Sequence, residues 1–181
     1  MPTRKGRTRK SVVPVLGIDV GGVLVDRVAE DSDTSFFGDH PMDTPAVPGA
    51  LDALRALAPL FEYRVHIISK AGPKIAALTR QWLGRNGFAE NIPPASTWFV
   101  RRRPEKAPIC ADLGVTHFID DRPDVLNALT TVTHRYLFVG GLGANPAPNH
   151  DPHRLTLTHD WDDLTRRITT SLTHFARPNE S

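Results

Sequence analysis

The chain has a single cysteine, Cys110, among 181 residues. One thiol closes no internal disulfide and cannot supply a cysteine-based zinc site, which excludes a stapled secreted fold and a zinc finger. No stretch reaches the ~20 apolar residues of a membrane span. The first apolar run, Val12 to Val25, is broken by Pro14, Asp19 and a glycine pair. It lacks the form of a secretory signal. Internal repeats and low-complexity blocks are missing as well. These absences leave a cytoplasmic protein with no membrane segment as the expectation.

What is present fits a folded chain. Hydrophobic residues make up 40% and charged residues 23%, too apolar for a disordered chain. The length suits one domain, expected over residues 13–176. The net charge of +2 comes from the start of the chain, because residues 1–10 hold five basic groups and no acid. The remainder carries 17 basic against 20 acidic groups. Residues 1–12 are expected to be a basic, disordered leader and residues 177–181 a frayed tail.

Apolar runs alternate with helical patterns. Strands are expected at 13–19, 63–69, 97–100, 115–120 and 135–139, with Arg154 to Leu157 as an extra edge strand. Helices are expected after Pro48, around Ile75 to Trp82, after Pro104, after Pro123 and after the cap Asp160. Residues 26–47, broken by Pro41 and Pro45, form a long flap loop, with no true cap domain. Alternation of this kind implies an α/β fold, a three-layer Rossmann-like parallel sheet with helices on both faces. Ligands of such sheets sit at the carboxyl ends of the strands.

The strand ends carry chemistry. The first ends in Asp19, followed by Gly21 and Gly22, which let the backbone turn and approach a ligand. The fourth ends in Asp120 and Asp121. Three carboxylates at one sheet edge repel unless a hard cation joins them, and Mg²⁺ takes carboxylates together with phosphate oxygens. Ser69 ends the second strand with a hydroxyl donor, and Lys106 opens the helix before the fourth. A carboxylate nucleophile, a metal, a hydroxyl and a cation suit phosphoryl transfer to Asp19.

At these positions the sequence resembles the haloacid dehalogenase-like (HAD) superfamily. The first motif reads Asp19-Val20-Gly21-Gly22-Val23, the second Ile67-Ile68-Ser69, the third is Lys106, and the fourth is Phe118-Ile119-Asp120-Asp121-Arg122-Pro123-Asp124. The resemblance runs from about Val13 to Gly140. It implies a strand order of 3-2-1-4-5 and a Mg²⁺-dependent, phosphatase-like hydrolase. Asp19 is then the nucleophile and a metal ligand. Asp121 is the main metal ligand of the fourth motif, Asp120 supports it, and the Gly21 carbonyl faces the metal. Ser69 and Lys106 hold the transferring group, and Asp124 is an outer-shell candidate. Gly22, Lys70 and Arg103 are candidates to touch the substrate, which is a phosphorylated small molecule or the phosphorylated end of a macromolecule. Nucleic acid is the less favoured partner, and no membrane partner is expected.

One departure stands out. Phosphatases of this superfamily carry a second aspartate two residues after the nucleophile, and it protonates the leaving group. Here that residue is Gly21. Three readings remain open. The substrate has a good leaving group, such as an acyl phosphate or an anhydride. Alternatively, Asp26, Asp39 or His40 supplies the proton. Or the fold has lost catalysis and acts as a metal- and phosphate-ligand binding module.

Other signals are read more plainly. Arg101, Arg102 and Arg103 are equally a phosphate grip or a solvated edge. His150, His153 and His159, with Asp151, lack metal-site spacing. Cys110 fits a buried helix face. Trp82, Trp98 and Trp161 are expected in the core.

Overall fold

The computed structural model describes residues 13–26, 40–141 and 149–175. The expected leader, the tail, Asp39 and most of the flap loop lie outside the described residues. Six strands form one parallel sheet in the order β3-β2-β1-β4-β5-β6. They are β1 (Leu16–Ile18), β2 (Val65–Lys70), β3 (Thr97–Val100), β4 (His117–Asp120), β5 (His134–Phe138) and β6 (Thr156–Thr158). Among the described residues the α-helices are α1 (Ala50–Leu60), α2 (Pro73–Arg85), α3 (Lys106–Asp112), α4 (Pro123–Ala128) and α5 (Trp161–Phe175).

Successive residues of a strand face opposite sides of the sheet, and two apolar layers follow. Leu16, Ile18, Ile67 and Ile119 join Leu54 and Leu57 of α1, Trp82 of α2, and Leu164 and Ile168 of α5. Ile68, Phe118 and Leu137 join Cys110 of α3 and Leu126 of α4. The central strands are buried on both faces, which is why β1 reads as a continuous apolar run.

The expected elements recur with local shifts. β1 is shorter than the run 13–19, since Pro14 has no N–H to give a ladder. The extra strand begins two residues late. The Asp151 carbonyl accepts from both Arg154 and Leu155, so the chain turns until β6 pairs with β5 at Tyr136↔Thr156. Asp160 does cap α5, accepting from the Asp163 N–H at 2.7 Å. Trp98 corrects the expectation of a core anchor. It lies on edge strand β3, is 38% exposed, and donates its indole N–H to His66 at 3.4 Å. An edge strand has no neighbour to cover it.

At the opposite, amino edge of the sheet, His117 is fully buried. Its Nδ1 lies 2.7 Å from Thr116 Oγ1 and its Nε2 lies 2.9 Å from Ser171 Oγ of α5. Its ring stacks on His134 at 4.5 Å. Burial first, and the neighbouring His134 charge second, push the His117 pKa down from 6.5 to about 3. The unfolded chain therefore binds the extra proton between these values, and stability rises with pH there. The contribution is complete above about pH 6.5 and is lost as pH falls toward 3. Urea unfolding at pH 7 and pH 5 should differ by about 2 kcal/mol more in the native chain than in His117→Gln. Equal pH slopes in the two proteins would remove this assignment.

Candidate active site

The site is built where β1 and β4 end side by side. Ile18 pairs with Ile119, and the Asp19 N–H donates to the Ile119 carbonyl at 2.9 Å. This brings residues a hundred positions apart to one edge. Carboxylate oxygens of Asp19, Asp120 and Asp121 all lie within 4.8 Å of one another. Asp19 is 8% exposed and Asp120 fully buried.

Lys106 rises from the start of α3 into this group. Its Nζ donates to Asp120 Oδ2 at 2.8 Å and lies 2.9 Å from Asp19 Oδ1. It also stands 5.7 Å above the Phe118 ring. The other Asp120 oxygen accepts the Arg122 backbone N–H at 3.0 Å. Asp19 Oδ1 is held by the Lys106 ammonium and has no other partner among the described residues.

The electrostatics follow from the geometry. Burial by itself would lower the Lys106 pKa, but the charges of Asp120 and then Asp19 reverse this and hold it above the usual lysine range. The Asp120 carboxyl is pushed upward, by burial first and by Asp19 and Asp121 next, with Lys106 opposing. Both shifts report one fact: three carboxylates face one ammonium.

A divalent cation would supply the missing positive charge. The donors are all hard oxygens, the class that suits Mg²⁺. The carboxylate oxygens already gather within 4.8 Å, and an ion with ligand bonds of about 2.0–2.1 Å would draw them closer. Three carboxylates facing a single ammonium leave negative charge that such an ion would balance. Asp19, Asp120 and Asp121 therefore fit the group that the resemblance implies.

Removing the ammonium should be costly. Lys106→Met leaves Asp120 buried without its ion-pair partner, and breaking a buried pair this way costs ~3–5 kcal/mol. Urea unfolding in EDTA measures the loss. A change below ~1 kcal/mol would show that Lys106 does not hold the carboxylates together.

The turn after Asp19 is tightly made. The Val20 carbonyl accepts from Val23, Leu24 and Val25, and the Gly22 N–H donates to Val25 at 2.8 Å. Gly22 has φ 77°, a left-handed conformation that glycine adopts at no steric cost. Gly141, after β5, packs so close that a Cβ there would meet the Gly22 carbonyl oxygen at 2.6 Å. Two buried indoles also pin these loops, and the sequence reading missed that role. Trp161 donates to the Val23 carbonyl at 3.0 Å and Trp82 to the Thr44 carbonyl at 2.8 Å. The available signal was chemical, because a buried tryptophan N–H needs an acceptor.

The remaining candidates divide. Ser69 is 2% exposed at the carboxyl end of β2, on the same edge, but makes no hydrogen bond to the carboxylates or Lys106 among the described residues. Lys70, the last residue of β2, is exposed, and Arg103 is half-buried at the start of a 3-10 turn, Arg103–Glu105. Asp124 does not join the cluster. It is exposed and pairs with the Arg122 guanidinium at 3.1 Å. Among the proton-donor candidates, Asp26 is half-buried and His40 exposed. Among the described residues, the three aspartates are the one His/Cys/Asp/Glu group close enough to hold a metal, and His150, His153 and His159 form none. Cys110 is buried, and burial pushes its thiol up to about 12, so it is no nucleophile.

No family model matches the chain. A protein of Oceanobacillus iheyensis, whose name provisionally calls it a nucleotidase, is 27% identical over 123 residues. That match takes in 67% of this chain and spans 61% of the relative's length. A haloacid dehalogenase-like family hydrolase from Xanthomonas campestris superposes with a TM-score of 0.60 at 13% identity, covering 93% of this chain and all of that one. A protein from Listeria monocytogenes gives 0.61 at 13% identity, covering 89% and 99%. The strand order and these superpositions agree that the chain has the haloacid dehalogenase-like fold.

Proposed function

We propose that this protein is a Mg²⁺-dependent phosphohydrolase with Asp19 as nucleophile. The observation that carries the reading is the meeting of the Asp19, Asp120 and Asp121 carboxylates within 4.8 Å, with Lys106 between Asp19 and Asp120. The likeness to a protein called a nucleotidase supports a phosphorylated substrate.

Asp19, Asp120, Asp121 and the Gly21 carbonyl would hold the ion. Bound there, it supplies positive charge to the phosphoryl oxygens. The chain's own residues do the rest. Lys106 pairs with both Asp19 and Asp120 and fixes the Asp19 carboxylate at the sheet edge. Asp19 attacks phosphorus, the bond to the leaving oxygen breaks, and an aspartyl phosphate forms. Ser69, at the carboxyl end of the neighbouring strand, would donate to a phosphoryl oxygen. Water then cleaves the aspartyl phosphate, releasing phosphate and restoring Asp19.

Acetyl phosphate tests this directly, since its leaving group departs without a proton donor. Phosphate release is expected with Mg²⁺ and is expected to stop in EDTA. No release in either condition would overturn the reading. A second reading, a binding module without turnover, is favoured by Gly21, which offers no acid. It predicts phosphate or Mg²⁺ binding in calorimetry with no release of product.

A further inference from the structure

We propose that the substrate is a phosphoric anhydride, a linear di- or triphosphate, whose leaving phosphate is received by the cationic end of β2 and β3. This rests on the reading of Asp19 as nucleophile and adds the substrate class.

Two independent features meet here. The first is Gly21, which puts no acid two residues beyond the nucleophile. An alcohol leaving as alkoxide needs a proton, and a positioned acid contributes ~10²–10⁴-fold to that step. A leaving phosphate does not, because its conjugate acid has a pKa near 6. It needs positive charge.

The second feature is a polarised site. The carboxylates lie at the ends of β1 and β4. The ends of β2 and β3, on the other side of Asp19, carry Lys70, Arg101 and Arg103, with Lys74 in the first turn of α2. Among the described residues, no carboxylate pairs with any of these four side chains. The one acid of this segment, Glu105, is already engaged. Its Oε2 accepts the backbone N–H groups of Arg101 and Arg102 at 3.0 and 3.2 Å, and its Oε1 accepts Arg102 Nε at 2.7 Å. Glu105 thereby folds the arginine turn without neutralising Arg101 or Arg103. The Ala71 N–H donates to the Val100 carbonyl at 3.0 Å and ties that turn to the end of β2.

The spacing suits an anhydride. Neighbouring strands lie ~4.8 Å apart, so β2 ends one spacing from Asp19 and β3 two. On this reading the phosphate joined to the reacting one through a bridging oxygen meets Lys70, and a further anionic group meets the arginines. The step balances. An Asp19 oxygen bonds to the terminal phosphorus, and the bridging P–O bond breaks with its electron pair on the bridging oxygen. That oxygen becomes a terminal oxygen of the departing phosphate. Water then cleaves the aspartyl phosphate, and a proton is released to solvent.

The test compares ADP, AMP and acetyl phosphate with Mg²⁺. ADP should exceed AMP in kcat/KM by ~10²-fold or more. Arg101→Ala should lower the ratio of ADP to acetyl phosphate turnover about tenfold, through loss of a charge-assisted hydrogen bond, and high salt should lower it as well. Acetyl phosphate turned over with ADP no better than AMP overturns the anhydride assignment alone. An unchanged ADP to acetyl phosphate ratio in both Arg101→Ala and Lys70→Ala overturns the role of the cationic edge. No turnover of acetyl phosphate overturns the hydrolase reading beneath it.

Discussion

Asp19→Asn is expected to reduce acetyl phosphate turnover by ~10⁴-fold or more, the scale on which loss of a covalent nucleophile acts. The amide has the shape of the carboxylate but neither its charge nor its nucleophilic oxygen. The fold should survive. Lys106 keeps its buried partner Asp120 at 2.8 Å, and the repulsion from Asp19 that raises the Asp120 pKa is relieved. Thermal unfolding should therefore move little, in contrast to Lys106→Met. Mg²⁺ titration should weaken as well, because one of three carboxylates is gone. Retained turnover in a folded Asp19→Asn protein would place the nucleophile elsewhere.

Gly21→Asp is expected to act in the opposite direction. It restores an acid two residues beyond the nucleophile, and AMP hydrolysis should rise by ~10²–10⁴-fold. The backbone permits it, since Gly21, unlike Gly22, does not have a positive φ. Hydrolysis of ADP and acetyl phosphate should change by no more than a few-fold, because their leaving groups need no proton. The contrast between ester and anhydride is the measurement, read as a ratio of kcat/KM values. An ester rate that stays at zero would mean that more than the proton donor is missing.

These expectations start from residues that were legible one at a time. Asp19, Ser69 and the Asp120–Asp121 pair each stand at the end of an apolar run, and the alternation of runs with helical patterns placed those ends on one edge. Trp98 was misjudged because its short apolar run by itself reads as core, although the implied strand order already put that strand at the edge. The shift of β6 was set by backbone hydrogen bonds to Asp151, which composition does not encode. Asp124 stood one residue short of the usual motif spacing, and the neighbouring Arg122 guanidinium pairs with it on the exposed side.

By itself, then, the sequence determined the α/β class, the parallel strand ends and the residue types gathered there, because periodicity and strand direction are local properties of the chain. Only the tertiary structure decided that Lys106 is buried between Asp19 and Asp120, and that Arg101 is spared pairing by the way Glu105 is used. Each of these depends on angles and distances between segments far apart in the chain. Such relations are fixed by how the two apolar layers pack against the sheet.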